Sequence, residues 1–358
     1  MGSTTARRSY KIKVDDVPFS QAEKRRFEIE CPLYEYIPTY MAKVQRIIAI
    51  GDVHGDVNLA RRCFKLAELI DDYDHWIAIP LNTIVVQVGD QIDSCRPTST
   101  TRCDVYVPDD KTDDIGVLQF FDHMHQIAKV YGGSVYSLLG NHEMMNAQGN
   151  FDYVSYKNLV NFKYNQYSGL EGRQHIFAPG GEMARHLACT RLSVLVIGST
   201  IFAHAGILPQ MITKLDQLNL SNEDRLVYLN DIVRRWLLNT LDRSQKLDAE
   251  IFINSTVNSP FWNRILGSIP KNTSLNSEIC DSNVRSVLAF FKLDNMVIGH
   301  TPQLNTSING ACSINGINHL YKIDGGFSSA FDRLVSKRPI QILEIRNDSE
   351  FRIITDQI

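Results

Sequence analysis

Five times in these 358 residues a short apolar run stops at a small residue and is followed at once by aspartate, histidine or asparagine. The runs are residues 47–50 before Gly51-Asp52-Val53-His54, 83–88 before Gly89-Asp90-Gln91-Ile92-Asp93, 134–139 before Gly140-Asn141-His142-Glu143, 200–203 before His204-Ala205-Gly206, and 296–298 before Gly299-His300. Short aliphatic runs of this kind, bounded by glycine, read as buried strands of an α/β sheet. Ligands of such sheets bind beyond the carboxyl ends of the strands. One polar ending is an ordinary turn, but five of them gather imidazoles, carboxylates and an amide at one edge of the sheet.

Buried charges of that kind need partners, and cations are the natural ones. Asp52 and His54 are two residues apart, so an extended backbone points both the same way, where they can chelate one ion. Mixed oxygen and nitrogen donors without sulfur suit Mn, Fe or Zn better than Ca. The donors outnumber what a single ion uses. Two ions about 3.5–4 Å apart that share a carboxylate would make a hydrolytic site able to bind and deprotonate water.

The intervening segments supply crossovers. Residues 58–69 carry Leu59, Cys63, Leu66 and Ala67 at helical spacing, and 115–131 form an amphipathic helix closed by Gly132-Gly133. His123 and His125 on that helix face different directions and read as solvated surface. The polar stretch 94–114, with Pro97 and Pro108, predicts a long surface loop. Residues 152–167 and 183–187 read as helical insertions, 193–197 and 200–203 as a hairpin, 222–242 as a helical block, and 340–345 with 351–354 as a closing hairpin. Residues 1–45, interrupted by Pro18, Pro32 and Pro38, predict a surface extension, and residues 46–358 a single catalytic domain without repeat or linker.

A net charge of −3 offers no general case for nucleic acid or an anionic membrane. No apolar run approaches the roughly 20 residues of a membrane span, and the N-terminus lacks the apolar centre of a signal peptide, so a cytoplasmic or nuclear location is expected. The start Met1-Gly2-Ser3-Thr4-Thr5-Ala6 comes near a myristoylation signal, but Ala6 stands where Ser or Thr is required, which disfavours lipid anchoring. The seven cysteines are scattered and form no Cys-x-x-Cys pair, so free thiols are predicted, Cys95 among them.

Taken in order, the five blocks resemble the signatures of the calcineurin-like metallophosphoesterases, in their phosphoprotein phosphatase branch. Further stretches are similar to the bacterial-type, Shewanella-like phosphatases of that branch: Met144-Met145-Asn146, Tyr153-Val154-Ser155, Phe177-Ala178-Pro179-Gly180-Gly181, Ser259-Pro260-Phe261-Trp262-Asn263-Arg264 and Asp324-Gly325-Gly326-Phe327-Ser328. The likeness covers about residues 46–332. It implies an α/β metallophosphoesterase fold, a central two-sheet β-sandwich flanked by helices in α/β/β/α layers. It implies two divalent metal ions, manganese in vitro with iron or zinc as alternatives. Asp52 and His54 would hold the first ion, Asn141, His204 and His300 the second, and Asp90 would bridge them. His142 would be the general acid, oriented by Asp93, and Arg264 would grip the phosphoryl oxygens.

The implied reaction is hydrolysis of a phosphoprotein at Ser or Thr, with Tyr left open, by direct attack of hydroxide held between two metals. Nucleotide or dinucleoside polyphosphate hydrolysis and an inactive scaffold are the alternatives. No docking motif for a regulatory subunit is recognisable. One departure stands out. The family block continues Asp-Arg-Gly, whereas here Asp93 is followed by Ser94-Cys95-Arg96-Pro97. Arg96 takes over the missing clamp by a shifted loop path, or Ser94 leaves the site with one clamp fewer.

Overall fold

Every residue of the strand Arg46–Ile50 is buried, so it is covered on both faces. Ile48 and Ile50 turn one way, toward Leu59 and Phe64 of the helix Val57–Leu66 and Val117 and Phe121 of the helix Asp114–Val130. Ile47 and Ala49 turn the other way, into a layer shared with a second sheet. This alternation of period two sets the architecture. The computed structural model describes residues 18–356 except 101 and 219.

The strands are β1 (Tyr40–Met41), β2 (Arg46–Ile50), β3 (Ile84–Gln87), β4 (Ser134–Leu138), β5 (Lys163–Tyr164), β6 (Tyr167–Ser168), β7 (Arg191–Leu192), β8 (Val194–Ile197), β9 (Thr200–Ala203), β10 (Asn295–Ile298), β11 (Asn309–Ile314), β12 (Ile317–Lys322), β13 (Gln341–Arg346) and β14 (Glu350–Thr355). One sheet runs β14-β13-β2-β3-β4-β7, the other β1-β8-β9-β10-β12-β11, and β5 and β6 form a small separate hairpin. The β2, β3 and β4 strands are parallel neighbours, as are β9, β10 and β12. Val86 and Val88 from one sheet meet Leu195, Phe202, Val297 and Tyr321 from the other in the middle layer. Outside the second sheet lie the helices Glu182–Thr190, Asn222–Leu238 and Arg243–Asn254. The result is the α/β/β/α sandwich expected from the sequence, with its parallel strands ending at one edge.

Three expectations change. The segment before residue 46 is built into the body: helix Phe19–Glu30 buries Phe27 in the core and β1 pairs with β8. Its charged residues reach into the body as well: Arg26 pairs with Asp231 at 3.0 Å and Glu23 with Arg234, partners about 200 residues away along the chain. The lipid-anchor reading of residues 1–6 lies outside the described residues. Six of the seven cysteines are not free thiols. They form the disulfides Cys31–Cys189, Cys95–Cys103 and Cys280–Cys312, and only Cys63 remains, buried. Two of these pairs join cysteines 158 and 32 residues apart, a distance at which sequence spacing carries no signal. Third, residues 152–167, expected to be helical, hold only the short helix Tyr156–Val160, and from Lys163 the chain turns into the β5–β6 hairpin; the helices Gly169–Phe177, Pro209–Asp216 and Arg243–Asn254 and the strand β11 add to the expected elements. No helix among the described residues is long and apolar enough to cross a membrane.

Candidate active site

The turns that follow β2, β3 and β4 are laced together by backbone. Val53 N and His54 N donate to Asp90 O at 3.1 and 3.0 Å, and Gly55 N to Gln91 O at 2.7 Å. Gly89 (φ +97°) sits where a Cβ would come within 2.6 Å of Gly140 N, so only glycine lets the β3 and β4 turns approach this closely. Glu143, itself buried, closes the same corner. Its Oε2 accepts from Gly140 N at 2.6 Å and Asp90 N at 3.0 Å, and its Oε1 from Gln91 N at 2.8 Å. Within the second sheet Gly299 N donates to His204 O at 2.8 Å, and His300 N, donating to Asp52 Oδ2 at 3.0 Å, ties that sheet to the first. Four non-glycine residues of this floor are left-handed: His54 (φ 45°), Asp90 (54°), Asp93 (70°) and His300 (66°). Strain of this kind concentrates at functional sites.

Asp90 is the centre. Its Oδ1 lies 3.3 Å from His204 Nε2, and its Oδ2 lies 3.9 Å from His54 Nε2 and 3.8 Å from His142 Nε2. Two groups of buried donors thus lie within 4.8 Å of one another, His54/Asp90/His142 and Asp90/His204/His300. Asn141 joins the second, its Oδ1 being 3.0 Å from His204 Nε2 and 2.8 Å from His300 Nδ1. Asp52, held on the His300 amide, lies on the same floor but outside both close groups.

The histidines are anchored in two ways. His54 Nδ1 donates to Ile92 O (3.2 Å), His204 Nδ1 to Val88 O (2.9 Å) and His300 Nε2 to Trp262 O (3.2 Å). A neutral imidazole has one N–H to give, so each of these three presents a bare nitrogen to the centre of the site. His142 is different: its Nδ1 lies 2.9 Å from a carboxylate, Asp93 Oδ2.

This arrangement tests the fit of cations. With its proton committed to Trp262 O, a neutral His300 turns Nδ1 on the Asn141 oxygen, acceptor against acceptor, and a cation resolves that contact. Burial drives His54 and His300 well below the usual histidine range, which keeps both neutral. His204 is drawn upward by Asp90 against the effect of burial. Burial, reinforced by Asp324 and Asp90, holds the Asp52 carboxyl well above its usual range. Asp52 Oδ1 and Asp324 Oδ2 are buried without a hydrogen-bond partner. The residues fit divalent metal ions.

Two arginines reach the rim. The guanidinium of Arg96 donates to Asp93 O at 2.9 Å and Cys95 O at 2.8 Å and stacks on Phe331, 4.7 Å from the ring centre. Its charge acts on Asp90, Asp93, Asp324 and Asp52. Arg264 is largely exposed and donates to His300 O at 3.1 Å. Ser94 turns away and bonds Thr112 Oγ1 at 2.7 Å. From Arg96 a cleft of about 960 Å3 opens between the loop around Thr112 and Tyr156 and the segment with Arg333 and Lys337.

Sequence reasoning missed Asp324, Glu143 and the residues behind Asp93. Asp324 had a visible signal, since β12 runs into Asp324-Gly325-Gly326 just as the other strands run into their candidate ligands. Glu143 stands inside the Gly140-Asn141-His142-Glu143 block, where the sequence gives it no role. Of the two that bond Asp93, Asn146 lies in the Met144-Met145-Asn146 stretch without a role there, and Arg173 carries no local signal.

Residues 45–304 match the calcineurin-like phosphoesterase family. The chain is 54% identical over 248 residues to an uncharacterized protein of Acanthamoeba polyphaga mimivirus, covering 66% of this chain and 98% of that protein. It is 27% identical over 360 residues to Shewanella-like protein phosphatase 2 of Arabidopsis thaliana, covering 90% of this chain and 80% of the relative. Among solved structures, the cold-active protein-tyrosine phosphatase of a psychrophilic Shewanella superposes with a TM-score of 0.59 at 21% identity, over 91% of this chain and 84% of that one. That likeness shows the shared fold.

Proposed function

The chain belongs to the calcineurin-like phosphoesterase family, and from that premise we propose that it is a protein phosphatase that hydrolyses phosphoserine and phosphothreonine, with phosphotyrosine as a second substrate, in one displacement without a phosphoenzyme. The observation that carries this reading is the unequal anchoring of the histidines. Three are tied to backbone carbonyls, as metal ligands are, and one to a carboxylate, as an acid or base is.

Asp52, His54 and Asp90 would hold one divalent cation, and Asp90, Asn141, His204 and His300 the other. Bound there, such cations lower the pKa of a water and neutralise phosphoryl charge. The rest is work for the chain's own groups. Arg96 and Arg264 stand at the rim where a guanidinium fork can hold phosphoryl oxygens in place. His142, oriented by Asp93, holds a proton for the leaving oxygen. An alkoxide from serine or threonine is a poor leaving group, so a positioned acid serves that substrate most. The relatives named protein phosphatases support the substrate class, and the tyrosine phosphatase in the solved structure keeps phosphotyrosine in view. The catalytic unit spans residues 46–358, buttressed by the helix and strand that precede it.

The test is metal analysis of the purified protein with a panel of phosphoserine, phosphothreonine and phosphotyrosine peptides and dinucleoside polyphosphates, with added manganese. Peptide turnover should dominate. Preferential cleavage of dinucleoside polyphosphates would overturn the substrate class, and full activity of H142N would overturn the acid.

A further inference from the structure

Behind the acid lies an arginine with no contact to solvent. Arg173, on the helix Gly169–Phe177, is 0% exposed, as is Asp93. Burying a guanidinium so deeply is costly unless all of its donors are used, and an apolar side chain would fill the space with less penalty. Its donors are used on a particular set of groups. Nη2 lies 3.3 Å from Asp93 Oδ1 and forms an ion pair with Asp114 Oδ2 at 2.9 Å. Nε donates to Asn146 Oδ1 at 2.8 Å and Nη1 to Asn158 O at 3.1 Å. One face of the guanidinium lies over Phe177, 4.9 Å from the ring centre.

The contact with Asn146 has a directional consequence. An amide whose oxygen is taken by Arg173 must turn its Nδ2 the other way, and there Nδ2 lies 2.9 Å from each oxygen of Asp93 and 2.9 Å from His142 O. Asp114 closes the loop by accepting the Asp93 amide on Oδ1 at 3.1 Å. The Asp93 carboxylate is therefore held from two sides. Its remaining direction is the 2.9 Å contact of Oδ2 with His142 Nδ1.

We propose that Arg173 is a positioning residue for the general acid: with Asn146 and Asp114 it locks the Asp93 carboxylate in the orientation that aims His142 Nε2 at the leaving-group oxygen. This rests on the acid role given to His142 above. It adds a residue that touches neither substrate nor metal and that sits 80 residues from Asp93 in sequence.

The readout that separates positioning from mere support is dependence on the leaving group. A weakened acid harms phenyl phosphate, whose leaving group needs a proton, far more than 4-nitrophenyl phosphate, whose leaving group does not. With manganese-loaded enzyme, R173Q should lower kcat on phenyl phosphate about 10²-fold, the scale of general acid catalysis, and on 4-nitrophenyl phosphate by less than about tenfold, with KM little changed. R173K should recover part of the loss, since it keeps the charge and loses the fork. The double variant R173Q/D114N removes the ion pair as a whole, so that an uncompensated Asp114 does not decide whether the protein folds, and it should show the same bias. H142N, run in parallel, must show that bias if the acid assignment is right. Equal losses on both substrates, or none, in the Arg173 variants while H142N keeps its bias would overturn the positioning role alone. Absence of bias in H142N would overturn the acid role and the positioning role together.

Discussion

At the floor of the site Asp90 is 2% exposed and the groups around it come from strand ends, whereas at the rim Arg96 reaches the same anionic centre from a loop closed by Cys95–Cys103 and stacked on Phe331. The floor is held by main-chain hydrogen bonds between adjacent turns, so its geometry is part of the sheets. The rim has thinner backing: beside one main-chain bond, from Cys95 N to Tyr153 O at 2.9 Å, the position of Arg96 depends on one cross-link, two aromatic faces and two carbonyls. The difference teaches that groups meant to hold charge in a dry interior are placed by secondary structure, and groups meant to meet a substrate by tethers on a loop.

If that contrast is right, damage should grade from floor to rim. The largest effect belongs to the centre: D90N should lower turnover about 10²–10³-fold or more with an unchanged circular dichroism spectrum, and chelation of the protein should do the same reversibly on return of manganese. Retained activity in D90N would break the comparison at its strongest point. Next come the clamps. If Arg264 and Arg96 hold phosphoryl oxygens as proposed, R264A and R96A should each lose charge-assisted hydrogen bonds worth about 1.5–3 kcal/mol, so kcat/KM should fall about 10- to 100-fold. Unchanged hydrolysis by R96A would remove Arg96 from the site.

A milder change is expected when the tether alone is cut. C95S/C103S keeps every charge and frees the loop, so KM should rise up to about tenfold, or about 1.4 kcal/mol, with kcat less affected. The smallest effect on activity should come from a charge belonging to neither region. Asp122 meets Arg191 at 2.6 Å and His186 at 2.8 Å. Burial works against its charge, but these partners prevail and hold the carboxyl below its usual range. A depressed folded pKa gives stability that is present above the unfolded value, about 3.9, and is lost as pH falls toward the folded one. D122N should therefore melt lower than the parent at neutral pH, approach it in acid, and hydrolyse substrate normally.

What the residues disclosed and what they hid follow the same division. Strand ends are legible because an apolar run, its terminating small residue and the candidate ligand are contiguous. That is why Asp52, His54, Asp90, Asn141, His204 and His300 could be named as candidates before any geometry, and why the two-sheet sandwich could be expected. The Cys31–Cys189 bridge, the Glu23–Arg234 pair and the Arg173 lock join residues far apart in sequence, and neither partner alone has an unusual neighbourhood. Burial was hidden for the same reason: a charge looks solvated until its partner is found. The cysteine expectation failed because the rule it used reads spacing, and these pairs are made by the fold.

The left-handed backbone at His54, Asp90, Asp93 and His300 bears on how this lineage can change. Each such residue costs about 1–2 kcal/mol relative to a right-handed one. Glycine would relieve that cost at any of the four positions and remove a side chain of the candidate site in the same step. Drift toward a more robust fold and drift toward an inert one thus run in the same direction here. Selection for hydrolysis is the force that opposes both, and a descendant released from it would be expected to acquire glycines at these turns first.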